Sequence, residues 1–357
     1  MKGYRMSRLL RQAKGPVLTL LALPAVCLLS ACYQPAATTL DAAQRTRIEG
    51  LASLVSEDRL RAELSALFAA PRHLLDSPEN VEKARLDIKT AFLAAGFEIT
   101  EQAVSRQKLW NHVEGSGWAM LPGPFTMYNI IADKAGTDPS LRPVLVTAHY
   151  DTVPNSPGAD DNGSGCEGAL EIARVLGGAN LRRDLRFVIF CFEEDELVGS
   201  YAYVKSLNES QLPDSVFNLE MIGYTSPVEK LLPLAGELFG MPSTGDFIAF
   251  FGSSESRPLV LDMLGAARDH GAGLKTYAQS ADANLQSNPL LTPLLVSDHT
   301  AFWSRGVPAL FITDTGAMRG ESPYHTAYDT PDTIDFEFMT SVVKSVVAAV
   351  AAHCVVD

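Results

Sequence analysis

The sequence predicts an α/β protein with a mostly parallel, mixed central sheet that is flanked by helices on both faces. Short apolar segments typical of buried strands alternate with segments whose apolar residues recur at three- and four-residue spacing, as in amphipathic helices. The chain has 357 residues, 46% of them apolar and 20% charged. This composition and length are sufficient for one large hydrophobic core.

The first third of the chain contributes both kinds of segment. Apolar spacing predicts helices over Arg47 to Leu67 and Val81 to Ala95, the second of which ends at Gly96. A strand is predicted over Phe97 to Val104. A Gly/Pro-rich loop over Gly115 to Pro124 then leads to a strand over Tyr128 to Ala132.

The rest of the chain alternates strands and helices. The predicted strands are Val144 to Thr147, Phe187 to Phe192, Val216 to Ile222 and Leu310 to Thr313, and the predicted helices are Gly163 to Leu176, Gly199 to Leu207 and Phe338 to His353. Residues 225–296 are less regular, with a strand over Phe247 to Phe251, a helix over Pro258 to Ala267 and a polar loop from Gln279 to Pro293. Because long loops in compact domains are often functional, we predict one domain over residues 44–357 in which 225–296 is a lid or pocket insertion.

The N-terminus has the pattern of an export signal. Basic residues precede an apolar run from Pro16 to Leu29, which predicts a signal peptide over residues 1–31. The run ends in Leu29-Ser30-Ala31-Cys32, which resembles the lipobox of bacterial lipoproteins, in which the cysteine is acylated. We therefore expect a tether over 32–43 that anchors the protein by lipid to a membrane of the bacterial cell envelope, with the outer membrane facing the periplasm as the default. The alternative is a cleaved secretory signal and a soluble periplasmic or secreted protein.

The charge balance argues against one class of partner. The net charge is −13, whereas binding to nucleic-acid phosphates requires a basic surface. We therefore expect no nucleic-acid partner, and the sequence contains no evident protein-partner domain.

Residues able to bind metals recur where predicted strands end. These are His149 and Asp151, Asp160 and Asp161, Glu193 and Glu194, Glu220, and His325. Each one alone is usually a structural or surface residue, and an aspartate before a helix is commonly an N-cap. Ligands of open α/β sheets, however, bind at the carboxyl ends of strands, so these side chains should converge on one edge.

Two histidines with several carboxylates suit zinc. Two metal ions about 3.5–4 Å apart can polarise a carbonyl and hold a hydroxide together. A neighbouring carboxylate must then take the proton of the water and pass it to the leaving amine. Because successive residues of a strand point in opposite directions, one of Glu193 and Glu194 should face the metal and the other the water.

A resemblance to a known family rests on ordered motifs. They are HYD, GADDNGSG, FEEDE, NLEMIG, SDHTAFW and YHTAYDTPDT. Together they resemble the zinc aminopeptidases of metallopeptidase family twenty-eight, to which bacterial leucyl aminopeptidases, glutamate carboxypeptidase and glutaminyl cyclases belong. The resemblance runs from about Asn129 to the C-terminus. It implies a zinc-exopeptidase fold of the phosphorylase/hydrolase type and a peptide substrate with a free N-terminus.

The resemblance also implies a ligand set. His149 and Glu220 would bind one zinc ion, Glu194 and His325 the other, and Asp161 would bridge the two. The best-known aminopeptidases of the family carry aspartate where this chain has Glu220. Two zinc ions per chain are expected, and a single ion is the alternative.

Further roles follow from the same resemblance. Glu193 would be the general base that activates the metal-bound water, and Asp151 would orient the imidazole of His149. Asp329 would play a similar part near His325, and Tyr324 would stabilise the developing oxyanion. Asp298 and His299 are expected to shape the rim of the site.

Three other hypotheses remain open from the sequence. The AHYDTVP segment also fits deacylases and dipeptidases with an HxDxVP motif, but Asp161 only twelve residues after His149 and the closing YHTAYDT favour the aminopeptidases. A one-zinc glutaminyl cyclase would share nearly all the metal residues. A non-catalytic binding lipoprotein on the same fold would usually have lost ligands or the base. The sequence does not determine side-chain specificity.

Overall fold

The fold is built around one mixed sheet of eight strands. The computed structural model describes residues 40–113, 117–227, 240–281, 294–318 and 322–355. The predicted signal peptide, Cys32 and nearly all of the tether lie outside these residues. The strands are β1 (Glu98–Val113), β2 (Gly117–Lys134), β3 (Val144–His149), β4 (Leu185–Phe190), β5 (Ser215–Leu219), β6 (Phe247–Ser253), β7 (Lys275–Ala281) and β8 (Ala309–Thr313).

The strand order is β1-β2-β4-β3-β5-β8-β6-β7. The central strands β4, β3, β5 and β8 are parallel neighbours. At one side β1 and β2 add an antiparallel pair, and at the other β6 runs antiparallel to β8 and parallel to β7. The predicted mostly parallel, mixed sheet is confirmed, and its parallel centre brings four carboxyl ends to one edge.

Helices cover both faces of the sheet. They are α1 (Ala42–Ala52), α2 (Glu57–Leu67), α3 (Pro78–Ala94), α4 (Gly165–Leu176), α5 (Val198–Ser206), α6 (Arg257–His270), α7 (His299–Trp303) and α8 (Phe336–Cys354). One face packs in a large apolar core with α1 to α4, α6 and α8. The other face packs with α5 and α7 in a smaller core around Phe190, Tyr203 and Phe302.

The C-terminal helix α8 belongs to the core. It is the one helix in the described part of the chain that is long and apolar enough to cross a membrane. However, 72% of its apolar window is buried inside the protein, where it packs on α6, α1 and α4.

The predicted single helix over Arg47 to Leu67 is wrong, because two helices occupy this region. α1 ends at Ala52, and Ser56 starts α2 by accepting a hydrogen bond from the backbone N–H of Arg59 at 3.2 Å. Glu57 and Asp58 follow in the first turn, where carboxylates stabilise a helix N-terminus. Apolar spacing alone did not detect this new helix start.

The predicted loop over Gly115 to Pro124 is also largely wrong. β1 and β2 stay paired from Glu98 and Asp133 out to Val113 and Gly117, with a register shift between Arg106 and Lys108. β2 pairs with β4 over Ile130 to Lys134, and within the described residues no third strand lies beside its proline-containing half. Proline is tolerated at such an edge because no neighbour needs its missing N–H.

The segment 225–296 contributes to the main sheet. Its described residues form β6, α6 and β7, and β7 extends to Ala281, inside the region predicted as a polar loop. The remainder of that loop, residues 282–293, lies outside the described residues. Whether the segment acts as a lid stays a prediction.

Candidate metal centre

The two histidines face opposite oxygens of one aspartate. His149 is the last residue of β3, and Asp161 lies in an irregular helical turn, Ala159–Ser164, directly before α4. The Nε2 atom of His149 lies 3.4 Å from Asp161 Oδ1, and the Nε2 atom of His325 lies 3.1 Å from Asp161 Oδ2. A carboxylate presented in this way can bridge two metal ions.

Two glutamates complete the side of the site that contains His149. Glu220 directly follows β5, and its Oε1 lies 3.2 Å from His149 Nε2. Glu193 Oε2 lies 3.8 Å from the same nitrogen. Ligand atoms of His149, Glu193 and Glu220 lie within 4.8 Å of one another. They form the first of two compact donor groups.

The second group contains Asp161, Glu194 and His325, whose ligand atoms also lie within 4.8 Å of one another. Glu194 Oε2 is 3.2 Å from His325 Nε2. The other oxygen, Oε1, is buried and has no hydrogen-bond partner among the described residues. A buried carboxylate oxygen without a partner is costly unless a cation satisfies it.

The electrostatics of the site fit a bound cation. Loss of water would lower the pKa of His325, but the carboxylates of Glu194 and Asp161 outweigh it and raise the pKa to about 11. Burial similarly opposes the charge of His149, and Glu220 and Glu193 raise its pKa well above the usual value. The carboxylates around the two imidazoles thus favour positive charge at this position. A divalent cation would supply that charge, so the donor set suits zinc.

The pKa values of two carboxyls shift in opposite directions. Burial disfavours the charge of Asp161, but hydrogen bonds from His149 and His325 lower its pKa below the usual range. Burial, assisted by repulsion from Glu220 and Glu194, raises the pKa of Glu193 well above that range. Such divergence between neighbouring carboxyls is typical of sites where one group binds charge and another transfers protons.

Glu193 belongs to one donor group and Glu194 to the other. They lie in a turn after β4 and not on the strand itself. β4 ends at Phe190, and Phe192 has a left-handed backbone with φ of 54°. Asp151 Oδ1 accepts a hydrogen bond from the backbone N–H of Glu193, and Oδ2 accepts one from that of Glu194, both at 3.2 Å. The expected strand alternation is therefore replaced by a turn that Asp151 holds.

Two predicted supporting roles differ in detail from what the structure shows. His149 Nδ1 lies 3.1 Å from the backbone carbonyl oxygen of Asp151 and 3.7 Å from its carboxylate, so the backbone is the closer partner of the imidazole. Asp329 accepts hydrogen bonds from the backbone N–H groups of Asp160 at 2.8 Å and Asp161 at 3.1 Å. It thus holds the segment carrying Asp161, because a carboxylate with two free oxygens can accept from two consecutive amides.

Several supporting residues were not predicted, although they lie inside the motifs. Ser297 Oγ donates to Glu220 Oε2 at 2.7 Å and accepts a hydrogen bond from Asn218 Nδ2 at 2.9 Å. Asn162 Nδ2 donates to the carbonyl of Leu219 at 2.8 Å and so links the Asp161 segment to the end of β5. Their position in NLEMIG, SDHTAFW and GADDNGSG was the available signal.

The expected rim position of Asp298 and His299 is wrong. Both residues are fully buried. His299 stacks on Phe311 with ring centroids 4.5 Å apart, and burial lowers its pKa to about 3. These residues lie in the core of the protein and not at the rim of the site.

A cavity of about 550 Å³ opens onto the donor groups. Its apolar wall is formed by Leu197, Met221, Leu295, Val296 and Phe311. Tyr324 also lines it, and its ring stacks on that of His325 with centroids 3.7 Å apart. The cavity offers an apolar surface beside a cluster of acids, which suits a small substrate with an apolar side chain and a positive charge.

The sequence pattern of Peptidase family M28 matches residues 129–350. The chain belongs to peptidase family M28. M28 peptidases depend on zinc, so the protein is a zinc metallopeptidase and peptides are its substrate class. The predicted family is thereby confirmed.

Two relatives illustrate the range of similarity. The chain is 28% identical to the uncharacterised protein YfbL of Escherichia coli over 285 residues, which are 76% of this chain and 80% of YfbL. It is 52% identical to the aminopeptidase YwaD of Bacillus subtilis over 82 residues, which are 22% of this chain but only 18% of YwaD.

Solved structures share the fold of this M28 peptidase. BSAP, a zinc aminopeptidase from Bacillus subtilis, aligns with a TM-score of 0.65 and 19% identity over 84% of this chain and 95% of BSAP. The glutaminyl cyclase of Porphyromonas gingivalis aligns with a TM-score of 0.59 and 22% identity over 83% of this chain and 98% of the cyclase. At these identities the likeness extends to the fold alone.

Proposed function

We propose that the protein is an aminopeptidase that removes N-terminal residues from peptides at a two-zinc site. The observation that carries the proposal is the position of Asp161, whose two oxygens each face one histidine. His149 and Glu220 would hold one ion, His325 and Glu194 the other, and Asp161 both. The local match to the aminopeptidase YwaD supports the same activity.

Bound zinc would polarise the scissile carbonyl and lower the pKa of a water molecule. Glu193 accepts the proton of that water and transfers it to the leaving amine. Burial raises the pKa of Glu193 above that of an ordinary carboxylate, which makes it a stronger proton acceptor. The Asp151 carboxylate keeps Glu193 in place through the Glu193 backbone N–H, and the Tyr324 hydroxyl would stabilise negative charge that develops on the substrate oxygen.

The apolar wall of the cavity would receive the side chain of the N-terminal residue. The acidic groups attract the free α-amine, which carries a positive charge. Peptides with apolar first residues and free N-termini are therefore the proposed substrates.

The test is the zinc content per chain together with three assays. We expect two zinc ions, cleavage of leucine p-nitroanilide, no cleavage of its N-acetylated form and no cyclisation of an N-terminal glutaminyl peptide. A single zinc ion with cyclisation and without hydrolysis would instead identify a glutaminyl cyclase. That second candidate is kept because of the shared fold with the Porphyromonas gingivalis cyclase. Full zinc occupancy with neither reaction would favour a binding protein.

We also propose that Cys32 anchors the protein by lipid to a bacterial envelope membrane, facing the periplasm. The support is the sequence Leu29-Ser30-Ala31-Cys32 after an apolar run. To test this, the full chain and the Cys32→Ala variant are expressed in bacteria that are supplied with radiolabelled palmitate. Label and membrane association should both be lost in the variant. An unlabelled, fully soluble wild-type protein would rule the anchor out.

A further inference from the structure

Arg72 is a buried cation whose partners are backbone carbonyls. It lies between α2 and α3, before the residues that match the M28 family, and it is only 1% exposed. Its guanidinium donates to five carbonyl oxygens, those of Tyr150 (2.7 Å, from Nε), Gly158 (2.8 Å, from Nη2), and Phe68 (3.2 Å), Ala70 (3.0 Å) and Pro157 (2.7 Å), which share the two N–H groups of Nη1. A buried cation requires such satisfaction.

These acceptors belong to both segments that carry metal ligands. Tyr150 directly follows His149, and Gly158 lies three residues before Asp161. The backbone of Arg72 adds two bonds to Thr152, because its N–H donates to Oγ1 at 2.9 Å and its carbonyl accepts from the N–H at 3.3 Å. One residue therefore joins the end of β3 to the turn that presents Asp161.

The place where the two segments meet, at Gly158, has no space for a side chain. Gly158 has a left-handed backbone with φ of 63°. A Cβ atom there would lie 2.3 Å from the carbonyl oxygen of Asp161 and 2.4 Å from Thr152 Cγ2. The Thr152 side chain therefore packs directly on Gly158, so the segment after β3 is in contact with the turn that presents Asp161.

We propose that Arg72 is a positioning residue that sets the distance between His149 and Asp161, and thereby the affinity for the metal that both would bind. The planar guanidinium does this through its fixed set of donors, which a lysine ammonium cannot reproduce although it carries the same charge. The proposal rests on the metal site and not on the aminopeptidase activity. A zinc-binding measurement therefore tests it even if the substrate proposed above is wrong.

The experiment measures zinc affinity of the metal-free full chain by competition with a chromophoric chelator. Arg72→Lys should weaken binding by about tenfold or more, as changes to residues that orient ligands do. Arg59→Lys is the matched control, because Arg59 also joins two elements, through Glu171, without contacting either ligand segment. Its zinc affinity should equal that of the wild type. Wild-type affinity in Arg72→Lys, or an equal loss in both variants, would overturn the proposal.

A second pair keeps the test valid if Arg72→Lys does not fold. Thr152→Val removes the hydroxyl that accepts from the Arg72 N–H, whereas Thr152→Ser keeps it. Zinc affinity should fall in the valine variant and be retained in the serine variant. Equal affinity in the two variants would contradict the role of this contact.

Discussion

The Asp151 carboxylate holds Glu193 through the backbone N–H of Glu193 and does not contact the Glu193 side chain through a hydrogen bond. Its two carboxylate oxygens accept the N–H groups of Glu193 and Glu194, while its own carbonyl faces His149 Nδ1. One residue thus sets the position of the proposed base and of one ligand in each donor group.

The first prediction concerns this contact. In Asp151→Asn, an amide NH₂ replaces one acceptor oxygen and faces a buried backbone N–H, so the turn must shift. We expect kcat to fall by about tenfold to a hundredfold. Steady-state kinetics at saturating zinc measure this. Asp138→Asn is the control, since Asp138 accepts the Ser140 N–H on the surface before β3, at the opposite edge of the sheet. Equal kinetics in the two variants would contradict the assignment.

The second prediction concerns Ser297, which donates to Glu220 Oε2 and is 1% exposed. Ser297→Ala removes the closer donor to that oxygen and leaves Asn162 Nδ2, at 3.5 Å, as a weaker one, so the carboxylate is freer to rotate. The zinc ion bound by His149 and Glu220 should bind about tenfold more weakly, and the other ion as before. A stepwise zinc titration resolves the two events.

The control for Ser297→Ala is Ser253→Ala. Ser253 is also buried and bonded, to Ser256 Oγ at 3.0 Å, but it ends β6 away from the donor groups. Its zinc affinities should stay at wild-type values. Equal weakening of both zinc ions in Ser297→Ala would show that the contact does not act through Glu220.

The third prediction concerns stability. Arg59 binds both oxygens of Glu171, which is fully buried, at 2.6 and 2.5 Å and so ties α2 to α4. Arg59→Ala removes both bonds and leaves the carboxylate with the Ser56 N–H at 2.8 Å and Arg174 Nη1 at 3.3 Å, so we expect a loss of about 2 kcal/mol in the free energy of unfolding. Urea denaturation measures it.

Lys83→Ala is the comparison for Arg59→Ala, because Lys83 pairs with Asp87 on the exposed side of α3. Lys83→Ala should lower the free energy of unfolding by less than about 0.5 kcal/mol. Similar losses in the two variants would show that burial of Glu171 does not decide the energy.

The fourth prediction concerns pH. Burial outweighs the neighbouring Arg174 and raises the pKa of Glu167 from 4.5 to about 8, and Glu63 and Glu171 add repulsion. Between these values the folded state binds more protons than the unfolded state, so Glu167 makes the protein less stable as the pH rises.

Glu167→Gln should therefore become more stable relative to the wild type as the pH rises from 5 to 8. The difference should grow by at most about 1.4 kcal/mol per pH unit for one proton. Urea denaturation of both proteins at pH 5, 6, 7 and 8 measures it. A difference that does not change with pH would contradict the raised pKa.

The sequence predicted the location of the site because the ligands follow strand ends in one parallel sheet. His149 and Glu220 end neighbouring strands, so the fold brings them within 3.2 Å although 71 residues separate them. Alternating apolar segments sufficed to predict the parallel centre of this sheet, and the ordered motifs contained the residues that the structure brings together as donor groups.

The supporting contacts could not be predicted in the same way. Arg72 acts through backbone carbonyls about 80 residues away. Because every residue has a backbone carbonyl, the sequence does not indicate which ones Arg72 contacts. The hairpin of β1 and β2 was missed because its distal half is stabilised by strand pairing despite its glycines and prolines. Local composition indicated a loop, whereas the pairing partner decided the structure.

The proposed role of Glu193 as the base of a zinc peptidase is tested by removing its negative charge. The rate of leucine p-nitroanilide cleavage should be measured for Glu193→Gln at full zinc occupancy, beside Glu209→Gln, whose side chain is 82% exposed. We expect Glu193→Gln to keep its zinc and to lose about a hundredfold or more in kcat, while Glu209→Gln retains the wild-type rate. A zinc-loaded Glu193→Gln enzyme that cleaves at the wild-type rate would contradict it.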